Sequence, residues 1–268
     1  METSEVMIGG KKIFYRSKGK GPAVVLLHGF GEDGSVWKHQ FDIFPQNQLI
    51  IPDLPGTGGS EMTEDMSIEG MAQTMHDFLM AIGIRKFTLI GHSMGGYVTL
   101  AFVEKFKDLL KGFGLFHSTA YADSEEKIST RKKGIGFIEE QGAYEFLKVS
   151  IPNLYSPITK KMHPQIIEEQ ISASHNFSAA SLVSYYKAMI HRPERTKVLI
   201  DNDLPVLFIL GKYDTAVPLR DGLELCHLPR ISYIHILENS GHMGMIEESP
   251  ESNKALINYI TRIDHQAR

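Results

Sequence analysis

At 268 residues, with 42% hydrophobic and 22% charged side chains, the chain has the composition of a soluble globular protein that can bury a sizeable core. Its net charge of −4 and pI near 6.3 leave no basic excess for nucleic acid or anionic lipid. The single cysteine, Cys226, cannot close an internal disulfide; Met1-Glu2-Thr3-Ser4-Glu5 lacks the apolar region of a secretory signal, and no apolar run reaches membrane-spanning length, so a reducing, cytoplasmic setting is expected.

The chain opens as a β-meander: Val6 to Ile8, a Gly9-Gly10 turn, then Lys12 to Ser17. Ala23-Val24-Val25-Leu26-Leu27 is a continuous apolar run, the pattern of a strand buried on both faces. Leu49-Ile50-Ile51 predicts another strand. A helix is predicted from about Ser67, because Ile68, Met71, Met75, Phe78, Leu79 and Ile82 form one stripe at helical spacing and Gly83 supplies a stop. Phe87 to Ile90 reads as a strand, the segment around Tyr97 to Phe102 as a helix, and Gly114-Leu115-Phe116 as a strand.

The pattern then changes. Residues 119–202 hold helical stretches at Ile128–Glu140, Ala143–Val149, Gln165–Ser174 and Ala180–Ile190, punctuated by Pro152, Pro157, Pro164 and Pro193. We read them as a helical cap inserted into a core formed by 1–118 and 203–268. The α/β rhythm returns with a strand at Val206–Leu210, a helix at Leu219–Cys226, a strand at Ile231–Leu237 and a helix at Glu251–Ile263. Strands alternating with helices predict an α/β fold with a mostly parallel sheet covered on both faces.

One stretch carries chemistry. Gly91-His92-Ser93-Met94-Gly95 joins a predicted strand to a predicted helix and spells G-x-S-x-G, the nucleophile elbow. So sharp a turn brings the positions two residues to either side of the serine into collision, and glycine removes it. Serine needs a base, and position chooses among the twelve histidines. His242, in Ser240-Gly241-His242, lies just past the last predicted strand, at the sheet edge where Ser93 also lies. Asp214 follows the strand ending at Leu210 and suits the acid that orients an imidazole. The order Ser93, Asp214, His242 is that of the α/β-hydrolase triad. Two backbone N–H groups are expected to form an oxyanion hole, from Met94 and from Phe30 in the His28-Gly29-Phe30-Gly31 loop. His92 and His28 are read as structural. Asp123 is the alternative acid.

Together with Asp53-Leu54-Pro55-Gly56-Thr57-Gly58-Gly59-Ser60, these motifs resemble the α/β-hydrolase superfamily. The resemblance implies an eight-stranded sheet and a helical cap after the sixth strand, where 119–202 falls. It also implies that dehalogenases and epoxide hydrolases of this fold carry aspartate at the elbow, so Ser93 favours acyl transfer through an acyl-enzyme. A cap-bearing, esterase-like serine hydrolase of a small or medium acyl ester is the leading reading. Amide, thioester and carbon–carbon hydrolysis and perhydrolysis stay open, as does a receptor or signalling protein with little turnover. His117, Tyr155, Phe177 and Tyr185 are candidate pocket residues.

Gly29-x-Gly31-x-x-Gly34 also spells a dinucleotide fingerprint, with Asp53 following 19 residues after Gly34. Glu32 and Asp33 would set negative charge where a pyrophosphate must sit, which opposes that reading. No H-E-x-x-H or paired-cysteine spacing points to a metal, so no metal or other cofactor is expected.

Overall fold

The computed structural model describes residues 1–266. Eight strands form one sheet in the order β1-β2-β4-β3-β5-β6-β7-β8. They are β1 (Glu2–Ile8), β2 (Lys11–Lys18), β3 (Ala23–Leu27), β4 (Gln48–Pro52), β5 (Phe87–His92), β6 (Leu110–Phe116), β7 (Val206–Gly211) and β8 (Ser232–Leu237). β2 runs antiparallel to β1 and to β4, and every later pairing is parallel. The β1–β2 turn is made by Gly9 and Gly10, both at positive φ, as a tight hairpin requires.

The apolar runs are strands buried on both faces. Successive residues of β3 point to opposite sides, so Val25 and Leu27 enter one core while Val24 and Leu26 enter the other. Helices α1 (Ile68–Ala81) and α2 (Met94–Phe106) cover the first face. Ser67 caps α1 by accepting from Gly70 N–H at 3.0 Å. The C-terminal helix, Ser249–Gln266, covers the second with Leu256, Tyr259 and Ile260. The Tyr259 hydroxyl shares its one proton between the carbonyls of Phe113 (2.9 Å) and Pro205 (2.7 Å), and it would lie 2.5 Å from any Cβ at position 112. Gly112 therefore sits inside β6, which begins four residues earlier than the apolar pattern alone suggests.

Between β6 and β7 the described chain forms only helices and 3-10 turns. They are α3 (Glu125–Gln141), α4 (Ala143–Ser150), α5 (Pro157–Met162), α6 (Pro164–Ala173), α7 (Ala179–His191) and α8 (Thr196–Ile200). Neither α5 nor α8 was expected, since six and five residues are too few to show a helical period. Pro157 and Pro164 begin α5 and α6, where a missing N–H costs nothing. The excursion is tied at its base, because Arg195 N–H donates to Ala120 O at 2.7 Å. A 3-10 helix at Gly34–Gln40, which buries Trp37, was also unexpected.

Asp53 fastens the loops at one side of the carboxyl edge. Its buried carboxylate accepts from Arg16 Nη1 (2.5 Å), Gly34 N–H (2.9 Å) and Gly59 N–H (2.9 Å). This accounts for the spacing that mimics a ribose-binding acid, and the Gly-rich loop leads into a 3-10 helix rather than the α-helix a dinucleotide site needs. Asp53→Ala strands three donors, so it is expected to lower unfolding free energy by about 3–5 kcal/mol in urea titrations. Asp42→Ala, at an exposed ion pair with Lys18, is expected to change it far less.

Candidate active site

Ser93 follows β5 and opens α2 with φ 50° and ψ −114°. Among the described residues, only His117 shares a positive φ without being glycine. The elbow is as tight as its spelling implies. A Cβ on residue 91 would lie 2.1 Å from Gly95 O, and one on residue 95 would lie 2.6 Å from His28 O. β6 holds the strained residue: Ser93 N–H donates to Phe116 O (2.9 Å) and Ser118 Oγ donates to Ser93 O (2.7 Å). Ser93 does not cap its own helix, and its hydroxyl instead faces His242 Nε2 at 2.9 Å.

Asp214 and His242 reach that hydroxyl from the ends of β7 and β8. His242 Nδ1 lies 2.8 Å from Asp214 Oδ2, while Asp214 Oδ1 accepts from Ala216 and Val217 N–H, each at 2.9 Å. Both Nδ1 and Nε2 are thus directed as the neutral Nδ1–H tautomer requires, with Nε2 free to take the serine proton. Burial alone would drive the His242 pKa down. The Asp214 carboxylate outweighs it and raises the pKa above its ordinary 6.5. Burial opposes ionisation of Asp214, but the charge of His242 and the hydrogen atoms of the two neighbouring imidazoles hold it far below the usual carboxylate range.

The second imidazole is His117. It is wholly buried behind Asp214, with Nδ1 3.2 Å from Oδ2, too oblique for a well-formed hydrogen bond. Its Nε2 accepts from Gly244 N–H at 3.2 Å, which leaves the proton on Nδ1, facing the carboxylate. Burial brings its pKa down to about 4, so it stays neutral. His117, Asp214 and His242 offer atoms spaced as metal ligands are. The Asp214 and His242 atoms among them are already hydrogen-bonded to each other.

The loop before the 3-10 helix is braced from three sides. His28 Nε2 accepts from Leu54 N–H (2.8 Å), so its Nδ1 donates to Gly29 O (2.8 Å). Glu32 accepts from Gly29 N–H (2.7 Å) and meets His92 Nδ1 (2.9 Å), and His92 Nε2 donates to His242 O (2.9 Å). His92 thus links the loop bearing Phe30 to the loop bearing His242. Met94 opens α2, where N–H groups have no acceptor within the helix.

Ser93, His242 and Phe30 line a cavity of about 180 Å³, walled mainly by apolar side chains including Leu147, Ile151, Met189 and Val217, with Arg131 and Gln170 among its polar groups. The four residues expected to line it lie elsewhere. His117 is behind the acid. Tyr155 is buried with its hydroxyl unpaired, Phe177 faces a separate cavity beside Asp33, and Tyr185 donates to Pro55 O at 2.6 Å while packing edge-on against Phe30. Tyr186, the neighbour of Tyr185, lines the cavity instead, a choice between adjacent tyrosines that residue type alone could not reveal. The alternative acid, Asp123, is paired with Arg131 and Arg192 instead of a histidine.

Residues 22–133 match the model of the α/β-hydrolase fold family. The structure superposes on a thermophilic esterase from Thermogutta terrifontis with TM-score 0.91 at 25% identity, covering 98% of this chain and 99% of that one. It superposes on the enol-lactonase from Burkholderia xenovorans with TM-score 0.88 at 20% identity, covering 96% and 100%. A monoacylglycerol lipase from Bos taurus is 25% identical across 91% of this chain and 77% of its own. The chain has the α/β-hydrolase fold. These relatives are named as hydrolases, and among the described residues no helix is long and apolar enough to cross a membrane.

Two acids that brace the loop bearing His242 were not expected from the sequence. Glu247 Oε1 accepts from Gly241 N–H (2.8 Å) and Met243 N–H (3.2 Å), and its Oε2 accepts from Ser156 N–H (2.8 Å) and Thr159 Oγ1 (2.7 Å). It joins the His242 loop to the helical segment, which also receives the His242 N–H at Leu154 O (2.6 Å). Glu248 accepts from Asn239 N–H (2.8 Å) and Ser240 Oγ (2.6 Å). Nothing in the local spelling separates these glutamates from surface acids.

For His242 to act as a general base it must be neutral, so in that role hydrolytic rate is expected to fall as pH drops through the His242 pKa. The raised pKa puts that acid limb above 6.5, higher than an unperturbed histidine would, and a kcat/KM profile checks it. Asp214→Asn removes the acceptor that selects the tautomer, and kcat is expected to fall by up to about 10⁴ with KM little changed.

Proposed function

We propose that the protein is a serine hydrolase of small or medium acyl esters, with Ser93 as nucleophile, His242 as general base and Asp214 as its orienting acid. The observation that carries this reading is the unbroken hydrogen-bonded line from Asp214 through His242 to a strained serine at the wall of an apolar cavity. The esterase, enol-lactonase and lipase relatives support the ester as the bond cleaved.

In this reading His242 Nε2 takes the Ser93 proton as Oγ attacks the ester carbonyl. The carbonyl oxygen gains the negative charge and receives the N–H groups of Phe30 and Met94, an interaction in which each donor is worth about 3–4 kcal/mol. Collapse of the tetrahedral adduct breaks the bond to the alcohol, which leaves with the proton from His242. Water then gives a proton to His242 and attacks the acyl-enzyme, releasing the acid and restoring Ser93. Asp214 stays ionised throughout, balancing the transient imidazolium.

Residues 119–202 act in this proposal as a cap over the core of 1–118 and 203–268. Leu147, Ile151 and Met189 come from this segment and face the cavity, so they choose the acyl chain and keep water from the acyl-enzyme. Phe30 stacks on Tyr186 with centroids 4.3 Å apart, which couples the oxyanion loop to the cap.

A fluorophosphonate probe is expected to label Ser93, and Ser93→Ala to lose both labelling and short-chain ester hydrolysis. Labelling that persists in Ser93→Ala, or ester turnover unaffected by it, contradicts the proposal. Met189→Ala is expected to shift preference toward longer acyl chains, checked by the ranking of kcat/KM across a chain-length series.

A further inference from the structure

One part of the cavity wall does not serve bond cleavage. Arg131, on α3, clasps Asp123 with Nε on Oδ2 (2.5 Å) and Nη2 on Oδ1 (3.2 Å). Arg192 reaches the same Oδ1 at 2.9 Å. The Asp123 carboxylate is wholly buried, so two cations share one buried anion and the cluster carries one unbalanced positive charge.

The two arginines are not equivalent. Arg192 is buried and committed: Nη1 donates to Met189 O (2.7 Å), Nη2 to Tyr121 O (3.0 Å), and its guanidinium carbon lies 3.9 Å above the Tyr97 ring. Arg131 lines the same cavity as Ser93, and its Nη1 makes no hydrogen bond among the described residues. Its guanidinium carbon lies 5.5 Å from the centre of the Tyr186 ring, which stacks on Phe30 of the oxyanion loop. The other charged group facing the cavity, apart from the reacting pair, is Glu32, which is held by Gly29 N–H and His92 on the opposite side of that loop. A cation held rigidly by a buried acid, with a donor still free in a mainly apolar cavity, is a ready receptor for an anion.

Resting on the ester-hydrolase reading, we infer that the substrate ester carries a carboxylate, and that Arg131 binds it through Nη1 while Asp123 and Arg192 hold the guanidinium in place. Arg131 is then a specificity-determining residue outside the reacting atoms.

The test compares kcat/KM for matched acidic and neutral esters in wild type and in Arg131→Gln. Monomethyl glutarate against methyl pentanoate sets the carboxylate on the acyl side. O-acetyl-lactate against isopropyl acetate sets it on the alcohol side. One acidic ester is expected to be preferred in wild type. Arg131→Gln is expected to cut that ratio by about tenfold or more, chiefly through KM, and Arg131→Lys to retain part of it. Using the ratio cancels any general loss in the variant. A second measurement needs no variant: glutarate is expected to slow fluorophosphonate labelling of Ser93, less so at high salt, while neutral glutaramide does not. Equal use of acidic and neutral esters, an unchanged ratio in Arg131→Gln, or no protection by glutarate overturns the inference while a labelled Ser93 leaves the hydrolase reading intact. A Ser93 that the probe never labels sinks both.

Discussion

Everything at this site hangs on the backbone contact between residues 91 and 95. Gly91 and Gly95 approach so closely that no side chain fits between them, and the turn drives Ser93 into positive φ. A strained serine would relax unless its surroundings over-determined it. Here the end of β6 and the segment just after it fix it, through Phe116 O and Ser118 Oγ. The result is a hydroxyl held above the sheet edge, facing an imidazole, at the start of a helix whose first N–H groups are free.

The surrounding loops are held mainly by buried or half-buried acids, each ringed by hydrogen-bond donors. Asp53 gathers Arg16 and two backbone N–H groups, Asp214 two backbone N–H groups and two imidazoles, and Glu247 the His242 loop and a hydroxyl of the helical segment. Glu32 is similar: burial opposes its ionisation, but His92 and the Gly29 N–H hold its pKa below the ordinary value. Burying such charges costs energy unless the partners are complete. What the arrangement provides is position, because every loop that brings a side chain to Ser93 is tied to the core or to the helical segment by one of these carboxylates.

The core of this arrangement was legible in the sequence because it depends on local constraints. The run Ala23–Leu27 has the pattern of a strand covered on both faces, Ser67 and the stripe from Ile68 have that of a helix start, and the elbow demands glycine at 91 and 95. The chain order of Ser93, Asp214 and His242 then followed from strand ends. The structure draws those three together, with Met94 opening the helix after Ser93 and Phe30 lining the same cavity. The pocket was not legible. Which face of α3 or α7 turns inward depends on packing between distant segments, so Tyr185 became a fastener to Pro55 while Arg131 and Met189 face the cavity. Glu247 escaped for the same reason: its partners lie 88 and 91 residues away at Thr159 and Ser156. His117 was placed correctly at a strand end, but its side chain turns toward Asp214 because its backbone adopts a φ of 48°.

The central claim is that Ser93 forms a covalent acyl intermediate whose breakdown needs His242. The most direct measurement is intact-mass and peptide analysis of the protein quenched early in its reaction with a short-chain ester. An adduct of the acyl mass on the peptide holding Ser93, appearing before steady state and vanishing as substrate is exhausted, is the expected result. Turnover of the ester with no such adduct at any time, or an adduct on another residue, would contradict the account.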